Sequence, residues 1–81
     1  MAMVAVHMPK YGMTMESGLI VEWLVHEGDQ VQEGESIAII NTEKVDTELG
    51  APASGTIVEI SADADSEVPV GGIIAYIEKS E

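Results

Sequence analysis

Residues 18–23 read Gly-Leu-Ile-Val-Glu-Trp, and residues 55–60 read Gly-Thr-Ile-Val-Glu-Ile. Both belong to a longer internal repeat, because a shift of 37 residues aligns 17–42 with 54–79 without a gap. Ten of the 26 aligned pairs are identical: Ser17/Ser54, Gly18/Gly55, Ile20/Ile57, Val21/Val58, Glu22/Glu59, Val31/Val68, Gly34/Gly71, Ile37/Ile74, Ala38/Ala75 and Ile40/Ile77. Such a duplication indicates two copies of one structural unit that must pack together to bury their apolar faces.

The composition predicts that this unit is built from β-strands. Nine valines and nine isoleucines stand against one tryptophan, two tyrosines and no phenylalanine, and β-branched residues favour strands. Eight glycines and three prolines are spread along the chain, where they favour turns. We therefore expect residues 1–81 to form a single all-β domain. Two copies of a four-strand unit predict a flattened barrel or sandwich of two four-stranded antiparallel sheets related by a pseudo-twofold axis.

Alternating apolar residues and turn signals give the strand bounds and the core. The predicted strands of this pattern span 3–8, 18–26, 30–32, 36–41, 45–49 and 55–60. Positions that are apolar in both repeats are expected to face the core: Val21/Val58, Trp23/Ile60, Ala38/Ala75 and Ile40/Ile77. Glu22 and Glu59 are expected to face water, and Ile39 and Tyr76 to be partly exposed. Gly28 and Gly34 suit turn positions with positive φ.

The charge of the chain excludes some partners. The net charge is -12 and there is no arginine, so a phosphate backbone would be repelled and nucleic-acid binding is not expected. Association with an anionic membrane is disfavoured for the same reason. The acidity serves either solubility or steering toward a basic partner surface. No stretch resembles a signal peptide or a membrane span, and we expect a cytoplasmic protein.

Side-chain chemistry offers little for catalysis. The chain has no cysteine, which excludes thiol nucleophiles and zinc–thiolate sites. His7 and His26 are isolated and lack the spacing of metal ligands, so no metal is expected. The glycines lack the spacing of a phosphate-binding loop. These observations predict a carrier or a binding module, not an enzyme.

Residues 41–48, Asn-Thr-Glu-Lys-Val-Asp-Thr-Glu, form a predicted hairpin at the middle of the chain. Lys44 is one of only three lysines and is predicted to lie at the hairpin tip. Most exposed lysines are simply solvated, and the pattern alone leaves that interpretation open. The shift of 37 residues relates position 44 to position 81, so the hairpin and the chain ends are expected at opposite ends of the domain.

Four linked segments resemble the lipoyl domains of 2-oxo acid and acetoin dehydrogenase complexes: residues 8–18, 25–31, 42–45 and 51–55. The resemblance implies a barrel-sandwich fold and a lipoate in amide linkage on Lys44. The hairpin neighbours that complete this attachment site are Thr42, Glu43, Val45 and Asp46. Biotin carrier domains share the fold and the lysine but typically flank it with methionines. A biotin carrier and an unmodified interaction module are therefore the alternatives.

The same resemblance implies a set of partners. The arm on Lys44 would move acyl groups and reducing equivalents between a thiamine-diphosphate-dependent decarboxylase, the acyltransferase core and dihydrolipoamide dehydrogenase, after a lipoate-attaching enzyme has modified it. About ten single bonds of roughly 1.5 Å give the arm a reach beyond about 10 Å. The residues expected to contribute to recognition are Tyr11, Met13 and Met15 in a loop near the hairpin, Gly28 sixteen residues before the lysine, and Asn41, where the family often has glutamate.

Overall fold

The computed structural model describes residues 2–10, 13, 15–42 and 46–79, and within these ranges the chain folds into eight β-strands. The strands are β1 (Met3–His7), β2 (Ser17–Trp23), β3 (Gln30–Val31), β4 (Ser36–Asn41), β5 (Asp46–Gly50), β6 (Gly55–Ile60), β7 (Glu67–Pro69) and β8 (Ile73–Lys79). The all-β prediction is confirmed. No helix capable of spanning a membrane occurs among the described residues.

The strands form two four-stranded sheets with the orders β1-β8-β6-β3 and β5-β4-β2-β7. Every neighbouring pair is antiparallel. The shift of 37 residues carries β2, β3 and β4 onto β6, β7 and β8. The neighbours β4-β2-β7 of one sheet therefore correspond to β8-β6-β3 of the other. The two sheets are therefore related by the predicted pseudo-twofold symmetry.

The structural unit contains four strands, as predicted, because β1–β4 and β5–β8 are equivalent halves, but the gap-free sequence repeat covers only three strands of each half. β5 and β1 fill equivalent outer positions in the two sheets, but the repeat does not relate their sequences. The halves also exchange strands: β3 pairs with β6 of the second repeat, and β7 pairs with β2 of the first. Each sheet thus needs strands from both repeats.

The core lies between the sheets and consists of aliphatic side chains from both repeats. Ala38, Ala75, Ile40 and Ile77 are fully buried, as predicted. The buried apolar residues are Val6, Met8, Met15, Ile20, Val25, Val31, Ile37, Ala38, Ile40, Leu49, Ala51, Ala53, Ile57, Val68, Ile74, Ala75 and Ile77. Trp23 and Ile60 pack against this core but are only partly buried.

The prediction that Val21 and Val58 face the core is wrong. Their side chains are 37% and 38% exposed, whereas Ile20 and Ile57 are fully buried. The register of β2 against β4 shifts between Ile20 and Glu22, and that of β6 against β8 shifts at the equivalent place. A β-bulge inserts one unpaired residue and interrupts the alternation of faces, so each valine turns outward beside an exposed glutamate.

Other strand bounds differ by a few residues. β2 ends at Trp23 and not at 26, because the chain turns at 24–29. The Trp23 indole N–H donates to the Ala62 carbonyl at 2.8 Å. β5 begins at Asp46, and position 45 lies outside the described residues. As predicted, Ile39 and Tyr76 are partly exposed.

The turns explain two of the glycines. Gly28 and Gly34 have φ of 96° and 89°, as predicted, and Gly71 repeats the conformation of Gly34. The residue equivalent to Gly28 is Asp65, which adopts a φ of 70°. Aspartate is one of the few residues other than glycine that tolerates this left-handed region, so the second repeat retains the turn without glycine.

Candidate functional site

The predicted hairpin is formed by β4 and β5, whose antiparallel ladder extends to the pair Asn41 and Asp46. At this last pair the Asn41 side-chain amide donates a hydrogen bond of 2.6 Å to the Asp46 carboxylate. The ladder therefore closes immediately before the connection formed by residues 42–45. Both side chains are exposed, and Thr42 is partly buried.

Lys44, Glu43 and Val45, three of the predicted site residues, lie outside the described residues. The described structure nevertheless shows which elements hold the two ends of the connection that contains them. Asn41 also pairs with Leu19 of β2, so the hairpin is anchored to the middle of its sheet. We call this side of the domain, where β4 ends and β5 begins, the hairpin end.

An open groove lies beside the hairpin. Its volume is about 440 Å³, and its lining residues are Met15, Glu16, Ser17, Gly18, Leu19, Asn41, Thr42 and Glu67. Ser17 donates a hydrogen bond of 2.7 Å to the Glu67 carboxylate across β2 and β7. The groove thus combines two carboxylates with the side chain of Leu19 and the buried Met15.

The segment between β1 and β2 is attached at the same end of the domain. The backbone carbonyl of Glu16 accepts a hydrogen bond of 2.9 Å from the backbone N–H of Val70, next to β7. Met8 donates to the Gly72 carbonyl at 2.8 Å and accepts from the Gly71 N–H at 2.9 Å. This agrees with the expectation that the loop preceding Ser17 lies near the hairpin.

The two ends of the domain are not equivalent. The Gly34 N–H donates to the Ala51 carbonyl at 2.9 Å, and the Ala51 N–H donates to the Glu35 carbonyl at 2.8 Å. Met8 makes the equivalent pair of backbone bonds with Gly71 and Gly72. Met8 and Ala51 are therefore structural equivalents under the pseudo-twofold symmetry. Ten positions separate Met8 from Gly18 but only four separate Ala51 from Gly55, so the connection at the hairpin end is six residues longer.

The last described residues of β8 lie at the opposite end. β4 starts at Ser36, roughly 17 Å from the hairpin at about 3.3 Å per residue. The turn that precedes β4 contacts the connection between β5 and β6, because the Glu33 N–H donates to the Ser54 hydroxyl at 2.9 Å. Gly55 follows and pairs with Lys79 of β8. The placement predicted from the repeat is confirmed for these strand ends.

The predicted recognition residues occupy different environments. Met13 is 94% exposed, whereas Met15 is 7% exposed and packs in the core beside Gly18. Asn41 lies at the groove, and Tyr11 lies outside the described residues. Gly28 is absent from the groove lining. Its N–H donates at 2.6 Å to the carbonyl of Ile57 in β6, which belongs to the sheet that does not contain the hairpin.

Sequence reasoning did not identify Ser17, Glu16 and Glu67 as groove residues. No local motif marks them, because the groove forms only when β7 pairs with β2, about fifty positions earlier in the chain. Among the described residues, no group of three or more histidine, cysteine or acidic side chains is arranged to hold a metal ion.

Comparison with known proteins agrees with this geometry. Residues 4–77 match the Biotin_lipoyl family model, described as biotin-requiring enzyme. The chain is 46% identical over 70 residues to the dihydrolipoyllysine-residue acetyltransferase component of the pyruvate dehydrogenase complex of Mycobacterium bovis, covering 86% of this chain and 13% of that protein. It is also 46% identical over 74 residues to the acetyltransferase component of the acetoin cleaving system of Bacillus subtilis, covering 91% of this chain and 19% of that protein.

Solved structures show the same fold. The lipoyl domain of the 2-oxoglutarate dehydrogenase complex from Azotobacter vinelandii superposes with a TM-score of 0.78 at 26% identity, covering 96% of this chain and 99% of that one. A single-chain, multi-domain long-chain acyl-CoA carboxylase matches at 0.78 with 18% identity, covering 98% of this chain and 7% of that one, and shares the fold. The chain therefore belongs to the biotin/lipoyl attachment family and is a lipoyl domain of the type found in dihydrolipoyllysine acyltransferase components.

Proposed function

We propose that this domain is a non-catalytic carrier and that lipoate is attached in amide linkage to the side chain of Lys44. The observation that carries this proposal is the closed pair Asn41 and Asp46, because Lys44 belongs, by sequence, to the four residues that connect the two. A connection between two paired strands presents a side chain at a defined place, and the cofactor supplies the chemistry. Residues 1–81 act as one carrier domain in this proposal.

The described surroundings leave open space for a long arm beside the hairpin. The ends of the connection are held by cross-strand pairing, while the neighbouring groove of about 440 Å³ is open. Lipoate, when bound, supplies a dithiolane that can be reduced and acylated. The protein's own contribution is to hold the attachment residue at one end of the barrel, away from Lys79.

The attachment site can be tested against the other two lysines. We expect intact-mass measurement to find one lipoyl group after incubation with lipoate and a lipoate-attaching enzyme. Lys44→Arg should abolish the modification, while the matched controls Lys10→Arg and Lys79→Arg should retain it. Modification of Lys44→Arg would contradict the assignment, and a biotin mass increment on the unaltered chain would favour the biotin carrier.

The proposed partners are those of an acyltransferase component. The similar Mycobacterium and Bacillus proteins are components of a pyruvate dehydrogenase complex and of an acetoin cleaving system. By this similarity the domain exchanges acyl groups and electrons with a thiamine-diphosphate-dependent decarboxylase, an acyltransferase core and dihydrolipoamide dehydrogenase. The chain spans less than a fifth of these two relatives, so the core and its substrate belong to the proposal.

The extended loop at the hairpin end is proposed to contact the decarboxylase. Met13→Ala should change the free energy of unfolding by less than about 0.5 kcal/mol, because its side chain is 94% exposed. It should lower kcat/KM for reductive acylation by a pyruvate or acetoin decarboxylase several-fold. Met15→Ala is the contrasting variant, since this buried side chain should cost about 2 kcal/mol or more of stability. Unchanged acylation of Met13→Ala would contradict a contact through this residue.

A further inference from the structure

The side chains of Asn41 and Asp46 make a hydrogen bond at the base of the attachment hairpin. They are directly opposite each other at the last pair of the β4–β5 ladder, and the amide nitrogen lies 2.6 Å from the carboxylate oxygen. An amide donor to an ionised acceptor is a charge-assisted bond, which is stronger than one between neutral groups. The bond spans the two residues from which the connection departs.

We propose that Asn41 and Asp46 form a clamp that positions the attachment hairpin, and that the pair works because one member is neutral and the other acidic. The clamp requires one donor and one acceptor, without a preference for which strand carries which. Two carboxylates at this pair would have no donor between them, and like charges directly opposite each other destabilise a sheet. The consequence for lipoate attachment rests on the proposed function, whereas the consequence for hairpin order does not.

The chain provides a matched control at the other end of the same hairpin. The Ser36 hydroxyl donates a hydrogen bond of 2.7 Å to the Glu48 carboxylate, again between β4 and β5. Glu48 pairs with Ile39, and Ser36 pairs with Gly50 at the start of β4. This bond links the same two strands but lies away from the connection, so its loss should leave the amide exchange of residues 42–46 unchanged.

The decisive comparison uses Asn41→Asp, Asp46→Ala, the double exchange N41D/D46N and Ser36→Ala. The double exchange reverses donor and acceptor while keeping both composition and net charge. Hydrogen–deuterium exchange of the backbone amides of residues 42–46, followed by NMR on the unmodified protein, reports hairpin opening directly. The rate of lipoyl attachment, followed by intact mass with lipoate and a lipoate-attaching enzyme, reports the consequence for modification.

We expect Asn41→Asp and Asp46→Ala to speed amide exchange about three- to tenfold, as for loss of a partly screened hydrogen bond to a charged group. Both should slow lipoyl attachment. N41D/D46N should return amide exchange to the rate of the unaltered chain, and Ser36→Ala should behave like the unaltered chain in both measurements. The clamp is refuted if the amides of residues 42–46 exchange at the normal rate in the single variants, or if they exchange as fast in N41D/D46N as in Asn41→Asp. Absence of lipoyl attachment to the unaltered chain would overturn the proposed function, and the amide exchange would still decide on the clamp.

Discussion

Gly55 and Gly18 occupy equivalent positions in the two repeats but have different neighbours. A methyl group on Gly55 would overlap the backbone carbonyl of Glu78 in β8, and it would lie 2.9 Å from an Ile77 side-chain carbon. A methyl group on Gly18 would lie 2.8 Å from the Met8 sulfur and 3.0 Å from the end of Met15. Flexible methionine ends can move, whereas the β6–β8 backbone can yield only by breaking its ladder.

Gly55→Ala should therefore be far more damaging than its symmetry equivalent. We expect a loss of about 3 kcal/mol or more in the free energy of unfolding for Gly55→Ala, and about 1 kcal/mol for Gly18→Ala, where overpacking is relieved by the methionines. Urea unfolding monitored by circular dichroism measures both. Equal losses would show that the close backbone approach at Gly55 is not what requires glycine there.

At the scale of the strand, the β-bulge determines which side chains support the core. Ile20 and Ile57 precede the two bulges and are fully buried, whereas the next residues, Val21 and Val58, are more than a third exposed. Ile20→Ala and Ile57→Ala should each cost about 2–4 kcal/mol of stability through the cavity left behind. The controls Val21→Ala and Val58→Ala should cost less than about 1 kcal/mol. Chemical unfolding that reversed this order would contradict the observed register.

The same bulge marks the limit of prediction from sequence. The bounds of β4 and β6 were predicted correctly, because both strands are flanked by turn residues. Comparison of the two repeats placed Val21 and Val58 in the core, because valine carries no signal for an extra, unpaired residue. The hairpin could be predicted from local sequence, whereas the groove beside it could not, since it depends on the pairing of Ser17 with Pro69.

At the scale of the whole molecule, the exchange of β3 and β7 makes the two repeats depend on each other. β3 belongs to the first repeat in sequence but completes the sheet of β6 and β8, and β7 completes the sheet of β2 and β4. Trp23 of the first repeat also donates its indole N–H to Ala62 of the second. The internal repeat therefore does not define two independent folding units.

This interdependence predicts the behaviour of fragments cut in the connection 51–54, which crosses from β5 to β6. Residues 1–52 and 53–81, prepared separately, should each lack a cooperative unfolding transition, because each leaves two sheets incomplete and cannot bury the shared core. An equimolar mixture should recover β-sheet circular dichroism and Trp23 fluorescence that change together on adding urea. The unbroken chain is the control and should show one transition by both probes. A fragment that unfolded cooperatively alone would mean that one repeat has enough core to be stable without the strand it receives from the other.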